Sequence, residues 1–492
     1  MEQYDVAVIG GGVVGCAIAR ELSRFRLKVA LLEKEADVCR GTSGKNSAVV
    51  HTGFNVKTGS LKARLNVAGA RMFEEYCAEL DVPFKRVGKL VIALSEAEVP
   101  DLAELKATGD ANGVPSLELI DGATIRKMEP NISGVAALNV PTAAITSPFH
   151  LTIALAEAAA ANGATVMLQA EVTAISSKGG AFRLTTRRGA IESKLVINSA
   201  GIYADHVARL AGVRRYRVYP CRGQYFIIDK AKGDLIKRMV YPVPPKGGSG
   251  LGVHLTPTVD GNILIGPSAE YVRRKDDVST TRAVARQLLK EAQQLLPAIT
   301  PRDVIAAYAG LRAKTTPSSV GGFGDFIIEE AEECQGMLHL IGIESPGLTA
   351  APAIALEAAG WVGKYLPLVP NGHLSPKHNG AVPFRDLPPE RQAELVAQDS
   401  DYGRIVCRCE TVTRKEVKEA IENPLGARSL NSIKYRARVT MGRCQGGFCG
   451  PRVVDMLLQE YNVPLPEINL KGPGSSLFTG EVKGLRKPCA QK

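Results

Sequence analysis

Two groups of residues in this 492-residue sequence have the types and spacing that chemistry needs. Cys407 and Cys409 form a C-x-C pair, and Cys444 and Cys449 form a C-x4-C pair farther on. Four thiolates in two close pairs suit a [2Fe-2S] cluster, which takes two sulfurs on each iron. Glycines 442, 446, 447 and 450 crowd the second pair, where missing side chains let backbone N–H groups approach sulfur and tune its potential. Structural zinc is the chief rival, although zinc ribbons favour C-x2-C knuckles, and unligated thiols are a third reading.

The second group is Gly10-Gly-Gly12-Val-Val-Gly15, a G-x-G-x-x-G run. Gly10 permits a tight turn, Gly12 lets the backbone approach a pyrophosphate, and Gly15 allows close helix packing. The helix that follows offers free N–H groups and a positive dipole end to phosphates. Glu33 lies 18 residues past Gly15, where a carboxylate can accept both ribose hydroxyls and disfavours a 2′-phosphate. The motif alone does not separate FAD from NAD.

The elements that must position these residues follow from periodicity. Tyr4 to Ile9 reads as a buried parallel strand, Gly12 to about Phe25 as a helix and Lys28 to Leu32 as a second strand, one βαβ unit of a doubly wound sheet. Gly252 to Thr256 and Ile263 to Gly266 flank a Val259-Asp-Gly-Asn262 turn, a hairpin signal, and Gly223 to Asp229 and Arg238 to Val243 look similar. An antiparallel sheet is therefore expected between parallel segments, with Leu151 to Ala161 and Thr281 to Leu296 as amphipathic helices. After Trp361 a proline-rich stretch reads as a linker. Thr413-Arg-Lys-Glu416 then forms a capping box, and Gly450-Pro451 opens another helix.

Composition excludes several classes. With 45% apolar and 23% charged residues the chain is neither disordered nor collagen-like. The net charge of +11 suits an anionic ligand, but no basic stripe interleaved with aromatics, at 5% of the chain, supports nucleic-acid binding. No run of about 18 apolar residues marks a membrane span. Glu2 and Asp5 replace the basic start of a secretory signal. Ten cysteines without an export signal point to a reducing, cytoplasmic setting, and Cys16, Cys39, Cys77, Cys221, Cys334 and Cys489 are scattered.

Val196-Ile-Asn-Ser-Ala-Gly201 resembles the second strand-and-glycine signature of flavoproteins with two dinucleotide-binding motifs, and Gly41-Thr-Ser-Gly-Lys-Asn-Ser47 resembles their flavin-contacting loop. With the glycine fingerprint, this implies FAD. Residues 1 to about 365 resemble the D-amino-acid oxidase superfamily. Within it, Asn46-Ser-Ala-Val-Val-His51-Thr-Gly53, Gly59-Ser-Leu-Lys-Ala-Arg64, Arg222-Gly-Gln-Tyr-Phe226, Tyr241-Pro-Val-Pro244 and Leu251-Gly-Val-His-Leu255 look most like the L-2-hydroxyglutarate dehydrogenase branch. Glu344-Ser-Pro-Gly-Leu-Thr-Ala-Ala-Pro352 would be the late glycine turn, where a helix N-terminus meets the flavin pyrimidine oxygen. The resemblance assigns FAD contacts to Gly10, Gly12, Gly15, Glu33, Thr42, Ser43, Asn46, Ser47, Ala200, Gly201, Gly347, Leu348 and Thr349. The tail departs from that branch. Cys407-Arg-Cys409-Glu410 and Gly442-Arg-Cys444-Gln-Gly-Gly-Phe-Cys449 resemble the bacterioferritin-associated-ferredoxin-like [2Fe-2S] domain on the A subunit of anaerobic glycerol-3-phosphate dehydrogenase. The body lacks the Gly-Gly-Lys flavin turn associated with glycerol-phosphate enzymes.

Oxidising a 2-hydroxy acid needs a base for the hydroxyl proton while hydride leaves for the flavin, and histidine suits the first task. The resemblance places His51 beside the flavin and His254 on a strand roofing the pocket; His150, His206, His339, His373 and His378 have weaker claims. A substrate carboxylate needs a fixed cation, and Arg312, in Ala309-Gly-Leu-Arg-Ala-Lys314, matches the position where the superfamily commonly places one. Arg222 and Tyr225 are second candidates, followed by Lys62 and Arg64.

The expected fold is α/β: a Rossmann-like FAD-binding domain (1–85, 141–220 and 311–365) interleaved with an antiparallel-sheet substrate domain (86–140 and 221–310). A linker (366–403) leads to a small helical [2Fe-2S] domain and tail (404–492). The expected function is an FAD-dependent dehydrogenase of a small anionic hydroxy compound, L-2-hydroxyglutarate or another 2-hydroxy acid first. Glycerol 3-phosphate is the nearest alternative, then amino-acid oxidation or an electron-transfer subunit with a vestigial pocket. Electrons would pass through the cluster to an acceptor protein or a quinone-linked partner subunit in a hetero-oligomer. The location would be cytoplasmic or peripheral to the inner membrane through that partner.

Overall fold

The computed structural model describes residues 1–245, 251–374 and 383–478; His378 and Cys489 fall outside them. The chain divides into two compact units, Met1–Lys34 with Val38–Ala381, and Glu35–Asp37 with Val382–Lys492.

In the larger unit, β1 (Glu2–Ile9), α1 (Val13–Leu22) and β2 (Val29–Leu32) form the βαβ unit read from the sequence. Val6, Ala7 and Val8 are wholly buried because β1 is central, paired in parallel with β2 on one side and with the Gly189–Asn198 strand on the other. Burying each such valine contributes on the order of 2 kcal/mol. Thr165–Met167 extends the sheet beyond β2, and Met337–Ile341 runs parallel to the end of Gly189–Asn198. The carboxyl ends of these parallel strands carry Gly10, Glu33 and Ser199, where doubly wound sheets bind their ligands.

The second sheet has nine strands. Its long hairpin-like pair, Tyr219–Ile228 with Val304–Lys314, is antiparallel throughout and aligns Arg222 with Leu311 and Cys221 with Arg312. Lys89–Ala93 lies inside the sheet, parallel to Met239–Pro242 and antiparallel to Ala136–Val140. The expected hairpin joins His254–Pro257 to Ile263–Gly266, with Thr258 N–H donating to the Asn262 carbonyl across the turn. A small third sheet pairs Val49–Val50 with Ala144–Thr146, fixing the chain immediately before His51.

Two expectations are corrected. The Leu151 helix, Pro148–Ala161, is buried on nearly every side rather than amphipathic, because α1 and the Thr42–Gly44 turn cover it. The Arg282–Leu295 helix does show a single buried face, Leu288, Ala292 and Leu295. The stretch expected as a linker contains a helix, Pro389–Gln398, which starts where proline occupies its first position.

The smaller unit packs helices Arg414–Ile421, Leu430–Ala437 and Cys449–Gln459 around Val417, Ile421, Ile433, Val453 and Leu457. The Thr413–Glu416 capping box is present in both directions. Among the described residues no helix is long and apolar enough to cross a membrane.

Candidate functional site

The dinucleotide cradle is built from backbone. A Cβ at Gly15 would stand 2.0 Å from the Gly10 carbonyl oxygen, and one at Gly10 would stand 2.7 Å from that of Ser199, so only glycine fits either place. Gly10 also has a φ of +111°. Gly12 caps α1 without a side chain of its own, and past the Val13 N–H, which Ser43 takes, the helix start faces the cradle. Glu33 accepts a hydrogen bond of 2.6 Å from Gly11 N–H, which holds its carboxylate at the mouth of the cradle. Gly41 and Gly201 line open space, where an added Cβ meets nothing within 4 Å. These residues fit an extended dinucleotide.

The loop after β2 divides its tasks. Ser43 accepts from Val13 N–H (2.9 Å), joining the loop to α1, and the Thr42 hydroxyl donates to the Leu311 carbonyl (2.6 Å). Asn46 donates to the Ser43 carbonyl (2.6 Å) and accepts from Ala48 N–H (2.8 Å), so its amide is spent on shaping the loop. Ser47 faces the substrate side: its hydroxyl lies 3.3 Å from Tyr225 Oη and 3.3 Å from His254 Nε2. Tyr225 stacks on Tyr308, and His254 stacks on Tyr241 with 3.8 Å between ring centroids.

His51 is held from two helices. Its N–H donates to Thr349 Oγ1 (2.9 Å) in the first turn of the Gly347–Val362 helix, and the Asn66 amide bridges the His51 carbonyl and Gly53 N–H. The late glycine turn therefore supports His51 as well as offering N–H groups of Leu348 and Thr349 at a helix start, while that of Gly347 donates to the Glu344 carbonyl. Ala200 and Gly201 close the cradle after the Gly189–Asn198 strand.

One residue of this pocket was not foreseen. Lys89 is 1% exposed and its Nζ lies 3.5 Å from His51 Nδ1 and 4.1 Å from the Tyr241 ring centroid. Burial pushes its ammonium down to about 7. Burial, then the Lys89 charge, holds His51 well below the usual histidine range, and the same causes in the same order lower His254 to about 3. Arg312 donates twice to the Ser268 carbonyl (3.1 Å each), with room made for its guanidinium by Gly223. Among the described residues no carboxylate pairs with Lys89, His51, His254 or Arg312. Two basic groups without counter-ions among the described residues thus lie beside two imidazoles that burial keeps neutral.

Three other candidates are placed elsewhere. Arg222 is buried, and its guanidinium binds Glu270 and Asp277 (2.7 Å each), a strut of the sheet. Lys62 pairs with buried Glu344 (3.3 Å), which also meets Lys314 (3.5 Å), a triad directly before the late glycine turn. Arg64 forms an exposed pair with Glu357 (2.7 Å).

In the smaller unit the four cysteines interact as two pairs, Cys407 with Cys449 and Cys409 with Cys444. Cys407 and Cys449 are buried, and Cys409 and Cys444 are exposed. The loops meet closely: a Cβ at Gly442 would stand 2.2 Å from Cys409 Cβ. Contact with Cys449, then N–H groups of Glu410 and Thr440, hold the Cys407 thiol down to about 6; the Phe448 N–H is the main cause lowering Cys444. Glu410, buried beside Cys409, is neutralised by Arg385 (3.1 Å) and Arg438 (3.0 Å). No group of three or more His, Cys, Asp or Glu side chains among the described residues converges on one metal position. Two thiol pairs fit the donor set of two irons, two sulfurs each.

Comparison with known proteins agrees with both cofactor sites. Residues 5–361 match the FAD dependent oxidoreductase family, and residues 405–459 match the BFD-like [2Fe-2S] binding domain. Glycerol 3-phosphate dehydrogenase of Caloramator mitchellensis is 41% identical over 483 residues, 98% of this chain and 99% of that protein. Mitochondrial L-2-hydroxyglutarate dehydrogenase of Nematostella vectensis is 31% identical over 73% of this chain and 90% of that protein. The structure of dithionite-reduced L-alpha-glycerophosphate oxidase from Mycoplasma pneumoniae with FAD bound superposes with a TM-score of 0.72 at 32% identity, covering 77% of this chain and 98% of that one. The backbone cradle, the pocket beside it and the paired thiols thus have one explanation: the chain belongs to the FAD dependent oxidoreductase family, as an FAD-dependent dehydrogenase that carries a BFD-like [2Fe-2S] domain.

Proposed function

We propose that this dehydrogenase oxidises glycerol 3-phosphate and passes the electrons through its [2Fe-2S] cluster to an external acceptor. The observation that carries the substrate is the end-to-end match to the Caloramator glycerol 3-phosphate dehydrogenase, cysteine module included. The 2-hydroxyglutarate expectation rested on motifs of the body. Those motifs discriminate poorly, because the body is 31% identical to a 2-hydroxyglutarate dehydrogenase and 33% identical to the glycerol 3-phosphate oxidase of Mycoplasma pneumoniae. The pocket supports an anionic alcohol of either kind, and the full-length relative favours the phosphate.

Bound FAD supplies the hydride acceptor, and the cluster supplies one-electron transfer. The chain's own groups do the rest. Arg312, tied to Ser268 and lacking a carboxylate, offers its remaining N–H groups to the phosphate. His51, neutral because burial disfavours the imidazolium, takes the hydroxyl proton at Nε2. Thr349 and Asn66 fix its backbone so that the ring keeps its position through turnover. Ser47, Tyr225 and His254 form a hydrogen-bonded wall that turns hydroxyl groups toward the glycerol moiety.

Anaerobic rapid mixing of the flavin-loaded protein with glycerol 3-phosphate and, separately, L-2-hydroxyglutarate tests the assignment. Loss of the visible flavin absorbance with the phosphate is expected. Bleaching by L-2-hydroxyglutarate alone would return the assignment to the 2-hydroxy acids.

A further inference from the structure

Lys89 is the deepest charged group of the pocket, and the proton transfer as described does not use it. It sits where a sheet ordinarily places an aliphatic side chain: Lys89 pairs with Met239 on one side and Val140 on the other, and Leu90, Val91 and Ile92 after it are all core. A lysine kept there with no carboxylate among the described residues is costly, so its polar contact with His51 Nδ1 at 3.5 Å needs a reason. An ammonium can only donate. Facing Nδ1, it forces the ring proton onto Nε2, and that nitrogen can then take no further proton. An uncharged amine can accept from Nδ1–H, which leaves the Nε2 lone pair free.

We infer that Lys89 is a positioning residue for His51: the charge state of its amine decides which ring nitrogen holds the proton, and only the uncharged amine lets Nε2 act as base. The inference rests on the reading of His51 as the base and deepens it. The step balances. The substrate C–H pair leaves as hydride to the bound FAD, the hydroxyl proton goes to His51 Nε2, and the Nδ1 proton passes to the Lys89 amine. The carbonyl forms, and an ammonium and a neutral ring remain. The other groups facing this pair are His254, Tyr241 and, behind His254, Arg312. Buried Tyr241 stays neutral and His254 stays neutral above about 3, so Lys89 is the group of this cluster that changes charge near neutrality.

The test is the pH dependence of anaerobic flavin reduction in the full-length holoenzyme, with 15N-histidine spectra as an independent readout. In the wild type, kcat/KM should rise about tenfold per pH unit through neutrality to a plateau, and His51, assigned from His51→Asn, should change from the Nε2–H to the Nδ1–H tautomer over the same range. Lys89→Met should abolish the rise attributable to the amine, leaving only the titration of the phosphate substrate near pH 6. Lys89→Arg, permanently charged, should hold the Nε2–H tautomer and stay about 100-fold below the wild-type plateau at every pH. Flavin absorbance and thermal melting establish that each variant is loaded and folded. A wild-type rise retained in Lys89→Met, or a His51 tautomer that ignores Lys89→Arg, would overturn the inference. His51→Asn reducing flavin at the wild-type rate would overturn it at its root. If another anionic alcohol reduces the flavin and glycerol 3-phosphate does not, only the substrate assignment falls, since every arm runs with whichever donor works.

Discussion

The cofactor cradle and the substrate pocket lie in one unit and are built in opposite ways. The cradle is backbone: Gly10, Gly12 and Gly15 lie within six consecutive residues, and one βαβ unit aims them. The pocket is side chain: Ser47, His51, Lys89, Tyr225, His254 and Arg312 come from five separate segments, and among the described residues it buries basic groups without acid partners. A backbone site is broken by adding one carbon where none fits. A side-chain site is broken by removing one charge or moving one proton, with the fold left standing. The cysteine module stands between them, since its donors are side chains but its close approach depends on glycine.

Gly15→Ala should have the largest effect. Its methyl group would stand 2.0 Å from the Gly10 carbonyl, so the turn must open. Flavin content, read by absorbance after purification, should fall below about a tenth of wild type while iron content persists. Gly442→Ala makes the parallel test in the module, because the added carbon would stand 2.2 Å from Cys409 Cβ. Iron content should fall by about half or more with flavin retained; unchanged iron would show that the loops do not need that contact.

Arg312→Met should leave both cofactors bound and raise KM by about 30- to 100-fold, roughly 2–3 kcal/mol for one charge-assisted contact. A change confined to kcat would mean that Arg312 acts on the reaction rather than on anion binding. Arg222→Met should have the smallest effect. Its partners Glu270 and Asp277 are 46% and 33% exposed, and water replaces the guanidinium at a cost of about 1 kcal/mol. Tm should drop by about 2 °C, with KM unchanged within about twofold. A KM rise matching that of Arg312→Met would erase the distinction between strut and anchor.

The same contrast explains what could be read from the sequence. The strand, glycine turn, helix and Glu33 are contiguous, so spacing alone exposes them, and the C-x-C and C-x4-C pairs are visible for the same reason. Lys89 carries no such signal. It opens an apolar run, Lys89-Leu-Val-Ile-Ala93, and reads as a strand end whose lysine reaches water; only the flanking strands around 136–140 and 239–242 bury it. Arg222 and Arg312 occupy neighbouring positions on facing strands, yet Glu270 and Asp277, about 50 residues away in sequence, decide that the first is a strut. Asn46 and Ser47 are adjacent, and which one turns inward is set by the hydrogen bonds of the loop. Local chemistry is legible where neighbours in sequence supply it, and the pocket depends on neighbours in space.

Anaerobic titration of the holoenzyme with glycerol 3-phosphate, followed at once by flavin absorbance and by low-temperature EPR, bears most directly on the account. The flavin band should bleach and a reduced [2Fe-2S] signal should grow with it, the latter lost in Cys444→Ser while bleaching survives. A flavin that stays oxidised with this donor, or one that bleaches while the cluster of the wild type remains silent, would contradict it.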